Sequence, residues 1–435
     1  MFNEIPVIEI LLWGQKVGAM SWNSNLRLAE FQFDDKFRRS GLDVSPLMMP
    51  LSRTKGIVSF PTHRNSKCFN GLPGMIADAL PDKFGSQLII EWFAQQGKNE
   101  DMITPLDKLC YVGRRAMGAL EFVPAVNIPG VGEATEIYIR ELMGISETLF
   151  KEREMFQELI RQKDRAILDI LKVGTSAGGA KPKAIIAYNE TTGEVRSGQV
   201  PAPEGYGYWL LKFDGGAYSE HNELSENPHG IGNIEYAYHK MAVECGIDMS
   251  ECRLLQEGDC NHFMTRRFDR TAAGDKIHML TAAGIAHLDR DIRHSYEEIF
   301  GILRRLNFHY TDFDQLYRRM VFNVISRNHD DHTKNFSFLM DKEGKWRFAP
   351  AYDLCYSYNP KGKWTNRHQL SLNSKTDEFS KKDLISVAEN VGIRNPAEII
   401  GQVRDTVARW PLFAKEAGVK KAHADLIFST LLFDL

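Results

Sequence analysis

From Asn328 to Phe338 the chain reads N-H-D-D-H-T-K-N-F-S-F. Asp330 and Asn335 stand five residues apart, and Asp353, in F-A-P-A-Y-D-L, comes eighteen residues after Asn335. Between them lie the strand-like N-F-S-F-L-M and a turn at Lys342 to Lys345, which places Asp353 beyond a two-strand excursion. Solvated loop residues need no such register. Three oxygen-bearing side chains at these steps constrain the fold more than any other feature of the sequence.

The rest of the chain must supply a core that can hold them. At 435 residues, two or three domains are expected, or one large domain with insertions. Hydrophobic residues make up 43% and charged residues 26%, which excludes intrinsic disorder and collagen-like repeats. Lys and Arg total 54 against 57 Asp and Glu, a net charge of -3. No global electrostatic pull toward nucleic acid or an acidic membrane arises from that balance. The six cysteines form no C-x-x-C pair, and a chain of this length needs no disulfide staples, so free thiols in a reducing compartment are expected. The start M-F-N-E-I-P lacks a basic and then apolar leader, and no run of about 18 apolar residues occurs. These features predict a soluble, cytoplasmic protein without a membrane partner.

Residues 5–125 read as strands and loops with short helices: Val7 to Trp13 as a strand, and Leu88 to Phe93 within a helix. Phe150, Phe156, Ile160, Ile167 and Ile170 recur at helical spacing, predicting one long helix over 143–172 that breaks at Gly174. Strands are expected at Ala184 to Tyr188, Tyr208 to Phe213 and His262 to Phe268, with a helix from Ile234 to Cys245. Met241, Tyr238 and Cys245 share one face of that helix and read as core. From Tyr296 helices dominate. The main boundary falls near residues 125–140.

Four segments can carry chemistry. L-K-V-G-T-S-A-G-G-A-K-P-K-A, from Leu171, frees backbone N–H groups at Gly174, Gly178 and Gly179 to face an anion, with Lys181 and Lys183 adding charge. It is not a Walker A loop, because Ala180 and Lys181-Pro182 stand where Lys and Ser/Thr would follow the glycine. In Y-W-L-L-K-F, Lys212 alternates with Tyr208 and Leu210 and so faces apolar surroundings, where it needs a phosphate or a carboxylate such as Glu235. The Asp330-to-Asn335 step equals the base-to-metal-ligand step of the protein-kinase catalytic loop. Asp330 therefore reads as the base and Asp331 as its structural neighbour. Asp353 occupies the place of the kinase Mg²⁺ aspartate, although the D-F-G letters are absent. Lys334 is suited to neutralise a moving phosphoryl group. His329 with His332, and Cys260 with His262, lack the second ligand pair that zinc needs.

Together these segments resemble the HipA family of bacterial toxin kinases. The matching residues are S-A-G-G-A-K-P-K from Ser176, L-L-K-F around Lys212, R-R-F-D-R from Arg266, N-H-D-D-H-T-K-N-F-S, and P-A-Y-D from Pro350. L-P-D-K-F-G from Leu80 and V-G-R-R-A-M-G-A-L from Val112 match the family's N-terminal part. The resemblance implies an α+β, protein-kinase-related two-lobed fold with a mixed α/β N-terminal part and an all-α C-terminal lobe. Its expected divisions are an N-terminal subdomain (1–130), an ATP-binding region (131–295) and a helical catalytic lobe (296–435). It implies a serine/threonine kinase using ATP and Mg²⁺. Asp330 would be the base, and Asn335 and Asp353 would hold the metal. Gly178, Gly179, Ala180, Lys181 and Lys183 would form the phosphate loop, and Lys212 would hold phosphates. Arg266, Arg267 and Phe268 would line the adenine hinge, with His332, Lys334 and Tyr352 beside the nucleotide.

Ser176 matches the family's autophosphorylated serine. Added charge there would repel ATP from a loop built to face phosphates. Arg266 stands where the family carries glutamate, and Glu220 to Gly232 reads as an activation or substrate loop. The implied partners are a HipB-like helix-turn-helix antitoxin, operator DNA through that complex, and a translation protein as target. An aminoacyl-tRNA synthetase such as the glutamate enzyme is the family's precedent for that target. Two rival readings are a kinase of the same fold acting on a lipid or small molecule, and a silent scaffold for DNA binding.

Overall fold

In the computed structural model, residues 7–126, 136–151, 155–156, 159, 162, 169–171, 173–174, 182–214 and 230–435 are described. Contacts divide the chain into two compact units. The first comprises 1–213, 266–291 and 339–346; the second comprises 214–265, 292–338 and 347–435.

The first unit begins with an antiparallel sheet. β1 (Val7–Leu12), β2 (Gln15–Asn23), β3 (Leu28–Phe33) and β4 (Leu120–Val123) lie in the order β3-β2-β1-β4. Alternation in β1 buries Ile8, Ile10 and Leu12, so one face carries the core. The β1–β2 turn is Trp13-Gly14, both with positive φ, as the tight hairpin turn matching strand twist requires. The helix Lys83–Gln95 contains the apolar run expected at Leu88 to Phe93; Asp82 caps it, accepting from the Gly85 amide at 2.6 Å. A second sheet holds β5 (Lys183–Asn189), β6 (Val195–Ser197) and β7 (Tyr206–Lys212), with β5 between the other two and antiparallel to both.

The long helix expected over 143–172 starts earlier, at Ile139, and is described to Lys151. Its start is fixed from outside: Ile137 donates its amide to the Val195 carbonyl at 2.9 Å, so the chain can turn helical only after that pairing.

The second unit opens with the helix Ile231–Glu244, which buries Tyr238, Met241 and Ala242 with Cys245 at its end. The hairpin β8 (Cys252–Glu257) and β9 (Cys260–Arg266) comes next. Helices then dominate: Tyr296–Arg305, Tyr310–Ile325, Lys381–Val391, Pro396–Val407, Trp410–Glu416 and Lys421–Thr430. Tyr238 joins its own helix to two of them, packing its ring on Phe322 and Trp410 and donating to the Ser326 carbonyl at 2.6 Å. Short strands Ser337–Met340 and Trp346–Phe348 form the expected excursion before Asp353, its residues 339–346 being assigned to the first unit. All six cysteines are free. No helix among the described residues is long and apolar enough to cross a membrane.

Candidate active site

The helix Tyr310–Ile325 ends at Ser326, and Arg327 (φ +58°) turns the chain away from it. The next residues form a loop that is polar in sequence yet buried. Asn328, His329 and Asp331 are at most 2% exposed, whereas the Asp330 side chain is 44% exposed. The segment therefore offers one carboxylate to solvent and turns the other inward.

Burying so many polar groups is tolerable only if each finds a partner. A chain of donors provides this for most of the loop, while His329 Nε2 is buried without a partner among the described residues. The Asp330 amide donates to the Ser357 hydroxyl (3.0 Å), which donates to Asn328 Oδ1 (2.9 Å). The Asn328 amide donates to Asn323 Oδ1 (2.9 Å), and the Asn323 amide donates to the Tyr296 hydroxyl (3.0 Å). Tyr296 donates to Asp331 (2.7 Å). The direction never reverses, and the series ends on a carboxylate. Such chains polarise each bond in turn. Asp331 also accepts from His368 Nδ1 (2.8 Å) and from the amides of Gln369 (2.8 Å) and Leu370 (3.4 Å). Asp331 is thus the structural neighbour. Burial first, and the Asp331 charge second, push the Tyr296 phenol well above its ordinary value. His329 donates to the Thr365 carbonyl at 3.0 Å and lies 4.2 Å from the His368 ring; burial first, and His368 second, push it down to about 2.

Around Asp330 the structure gathers several predicted residues. His332 Nε2 lies 3.7 Å from its carboxylate. Asn335 donates its amide to the Asp330 carbonyl at 2.7 Å, which fixes the flip of the carboxamide and leaves Oδ1 as its acceptor. Tyr352 donates to the Lys334 carbonyl (2.6 Å) and meets the Ser337 hydroxyl (2.6 Å), joining the segments that carry Asn335 and Asp353. The Lys334 side chain is half-buried and makes no ion pair among the described residues. Asp353 adopts φ +56°, a conformation that aspartate tolerates better than most residues.

Two supports have no counterpart in the sequence reading. Arg319, fully buried, donates to the Ala349 carbonyl at 2.8 Å and lies over the Phe348 ring at 4.2 Å, bracing the approach to Asp353; burial pushes it down to about 10. Asp214 accepts from the amides of Gly230 (2.9 Å) and Ile231 (3.0 Å) and so caps the helix Ile231–Glu244 from sixteen residues before Gly230. Sequence capping patterns look only three residues ahead, so neither support leaves a local signal.

The other predicted residues lie in the first unit. Lys183 and Lys212 are directly opposed in the β5–β7 register. Like charges on opposed positions repel. Lys183 is buried and pairs with Asp82 at 3.3 Å, across about a hundred residues of sequence. Lys212 is only half-buried; the deeper face of β7 is that of Trp209 and Leu211. Alternation holds along the strand, but the apolar side is the opposite one. Arg266 is exposed, with its guanidinium over the Trp209 ring, and Phe268 is half-buried. Arg267 is engaged inward: its amide donates to the Tyr208 carbonyl (2.9 Å) and its guanidinium grips Asp269 (2.7 and 2.8 Å). Arg270 and the Gly118 amide complete that cluster. Burial alone would raise the Asp269 carboxyl, but the two guanidiniums outweigh it and hold it well below the usual range. Gly178, Gly179, Ala180, Lys181 and Ser176 lie outside the described residues, as does most of Glu220 to Gly232.

Compared with solved structures, the fold matches the HipA chain in the complex titled "Shewanella oneidensis MR-1 Toxin Antitoxin System HipA, HipB and its operator DNA complex". The match covers 97% of this chain and 94% of that one, with a TM-score of 0.64 at 17% identity. The fold class is therefore HipA-like. Residues 8–123 match the HipA N-terminal domain, and residues 175–410 match the HipA-like C-terminal domain. The chain belongs to the HipA family. Among curated proteins it is 24% identical over 234 residues to a "Putative kinase" of Haemophilus influenzae, covering 46% of this chain and 68% of that protein. It is 25% identical over 256 residues to "Putative kinase Y4dM" of Sinorhizobium fredii, covering 52% of this chain and 59% of that one.

Proposed function

We propose that the protein is a HipA-type serine/threonine kinase that transfers the γ-phosphoryl group of ATP to a protein target. The observation that carries this reading is the lone exposed Asp330 carboxylate on a loop otherwise buried and hydrogen-bonded. Asp330 would orient the acceptor hydroxyl and take its proton as the new O–P bond forms and the bond to the ADP oxygen breaks. Lys334 would offset charge on the moving group.

The donors present suit Mg²⁺. Asn335 Oδ1 and the Asp353 carboxylate are hard oxygens, and no group of three or more His, Cys, Asp or Glu side chains forms a metal cage among the described residues. Mg²⁺ is usually held by one or two protein oxygens together with substrate phosphates. When bound, it would neutralise phosphate charge. Lys183, Lys212, Arg266 to Phe268, His332 and Tyr352 would serve the nucleotide, with the glycines and Lys181 of the Gly178–Lys183 segment.

The wider reading is a cytoplasmic toxin that phosphorylates a translation protein, an aminoacyl-tRNA synthetase by family precedent. It would be silenced by phosphorylation of Ser176. A HipB-like antitoxin would neutralise it and repress the operon with it. The HipA N-terminal domain match and the titled HipA–HipB–DNA complex support that partnership.

The test is incubation with labelled ATP and Mg²⁺, with phosphate mapped in wild type and in Asp330→Ala. Labelled Ser176 in wild type alone is expected. Absence of label in both, with ATP binding intact, would overturn the kinase reading. Expression with and without a neighbouring helix-turn-helix gene then tests the toxin reading, and harmless expression alone would count against it.

A further inference from the structure

Immediately after Asp353 the sequence runs for 23 residues, Leu354 to Thr376, without an aspartate or glutamate. Lys361, Lys363, Arg367 and Lys375 fall within it. Lys375 is satisfied by Asp383 at 2.7 Å. The other three are exposed and have no acidic partner among the described residues. Trp364 stands among them, 45% exposed, with the Lys363 ammonium over its ring.

An exposed basic loop is usually no more than a solvated surface. This one differs in how it is fastened. Its N-terminal end is held where the Ser357 hydroxyl bridges the Asp330 amide and Asn328. Its middle is held where Thr365 accepts from His329, and its far end where His368 and Gln369 donate to Asp331. Every one of these attachments is to the four residues Asn328 to Asp331. These ties hold the loop to the turn that presents the proposed base, with Lys361 and Lys363 between the first tie and the second and Arg367 between the second and the third.

We propose that the loop Tyr358–Gln369 contacts the acceptor, and that Lys361, Lys363 and Arg367 select a protein segment bearing carboxylates beside the phosphorylated hydroxyl. Trp364 supplies the apolar contact against which that segment packs. The inference rests on the kinase reading and narrows its substrate. A loop that is already tied down needs less ordering when the substrate arrives, which favours discrimination by its charges.

The experiment uses the full chain and three peptides that share one serine, flanked by glutamate, alanine or lysine. With Mg²⁺-ATP, the glutamate peptide is expected to exceed the alanine peptide about tenfold in kcat/KM, about threefold for each of two rim charges. The lysine peptide is expected to be poorest. In Lys363→Glu/Arg367→Glu the order should reverse, and in Lys361→Ala/Lys363→Ala the ratio should shrink. Raising salt should shrink it too.

Binding of the same peptides, fluorescently labelled and read by anisotropy, reports the preference without phosphoryl transfer. Failure of the kinase reading and failure of this proposal are therefore distinguishable. Equal binding of all three peptides, or an acidic preference that survives charge reversal, overturns the proposal. So does loop-dependent binding of a single-stranded oligonucleotide in the absence of peptide discrimination, which would assign the surface to nucleic acid.

Discussion

The Ser357 hydroxyl accepts the Asp330 amide at 3.0 Å, from 27 residues further along the chain. The same hydroxyl donates to Asn328, so one oxygen holds both ends of the turn that presents the proposed base. In Ser357→Ala, the partly buried Asp330 backbone amide and the side-chain Oδ1 of Asn328 both lose a partner. Loss of such bonds costs about 1–3 kcal/mol in stability. Small misplacements of reacting groups weigh more on rate than on folding. Turnover is expected to fall about tenfold or more while KM for ATP stays within about twofold. Steady-state kinetics beside a thermal melt checks this. A rate loss no larger than the loss of folded protein would show that the bond is structural only.

How far the sequence reveals this site depends on the separation of its parts. Asp330, Asn335 and Asp353 stand out in the sequence because their spacing is local and the excursion between them has a readable turn. Asp331 is recognised only as a neighbour, because its partners Tyr296 and His368 lie 35 residues before it and 37 after it. The Lys183–Asp82 pair joins two motifs that are each visible in the sequence, yet no spacing rule connects them. The face of Lys212 is misjudged because alternation gives two faces without saying which one the core covers. Long-range pairing, and not local propensity, decides each of these positions, as it does the helix start at Ile139.

Asp82 does two jobs, capping the Lys83–Gln95 helix and pairing with Lys183. Asparagine keeps the cap and removes the charge. Breaking a buried ion pair from one side costs about 3–5 kcal/mol, whereas replacing both partners is often close to neutral. Asp82→Asn should therefore be destabilised by about 3 kcal/mol, and Asp82→Asn/Lys183→Met should recover most of that loss. Urea unfolding of the full cycle checks it. Additive losses would mean that the two charges are independent.

Asp353 separates backbone from charge. Its φ of +56° costs little for glycine or asparagine and about 1 kcal/mol or more for alanine. All three substitutions should reduce phosphoryl transfer by at least about a hundredfold if the carboxylate is a metal ligand. Only Asp353→Ala should also lower the melting temperature beyond Asp353→Asn. Thermal melts beside a Mg²⁺ titration of activity separate the two effects. Full activity in Asp353→Asn would exclude a role for its charge.

His278 sets a pH limit on folding. It is fully buried, donates Nε2–H to the Val44 carbonyl at 3.2 Å, and has no partner at Nδ1 among the described residues. A proton on Nδ1 would be a buried charge without an acceptor, and burial pushes the imidazole down to about 4. The unfolded imidazole titrates near its ordinary value of about 6.5. Between these values the unfolded chain binds the proton and the folded chain does not. Stability is therefore complete above about pH 6.5 and falls as pH drops toward 4, by about 1.4 kcal/mol per pH unit for this residue. Glutamine places an amide donor near the Nε2 position and does not titrate. His278→Gln should therefore lose less stability than wild type between about pH 6.5 and about pH 4.5, by about one proton's worth of slope. Urea unfolding at a series of pH values measures that difference. Parallel slopes in the two proteins would show that His278 is protonated in the folded state.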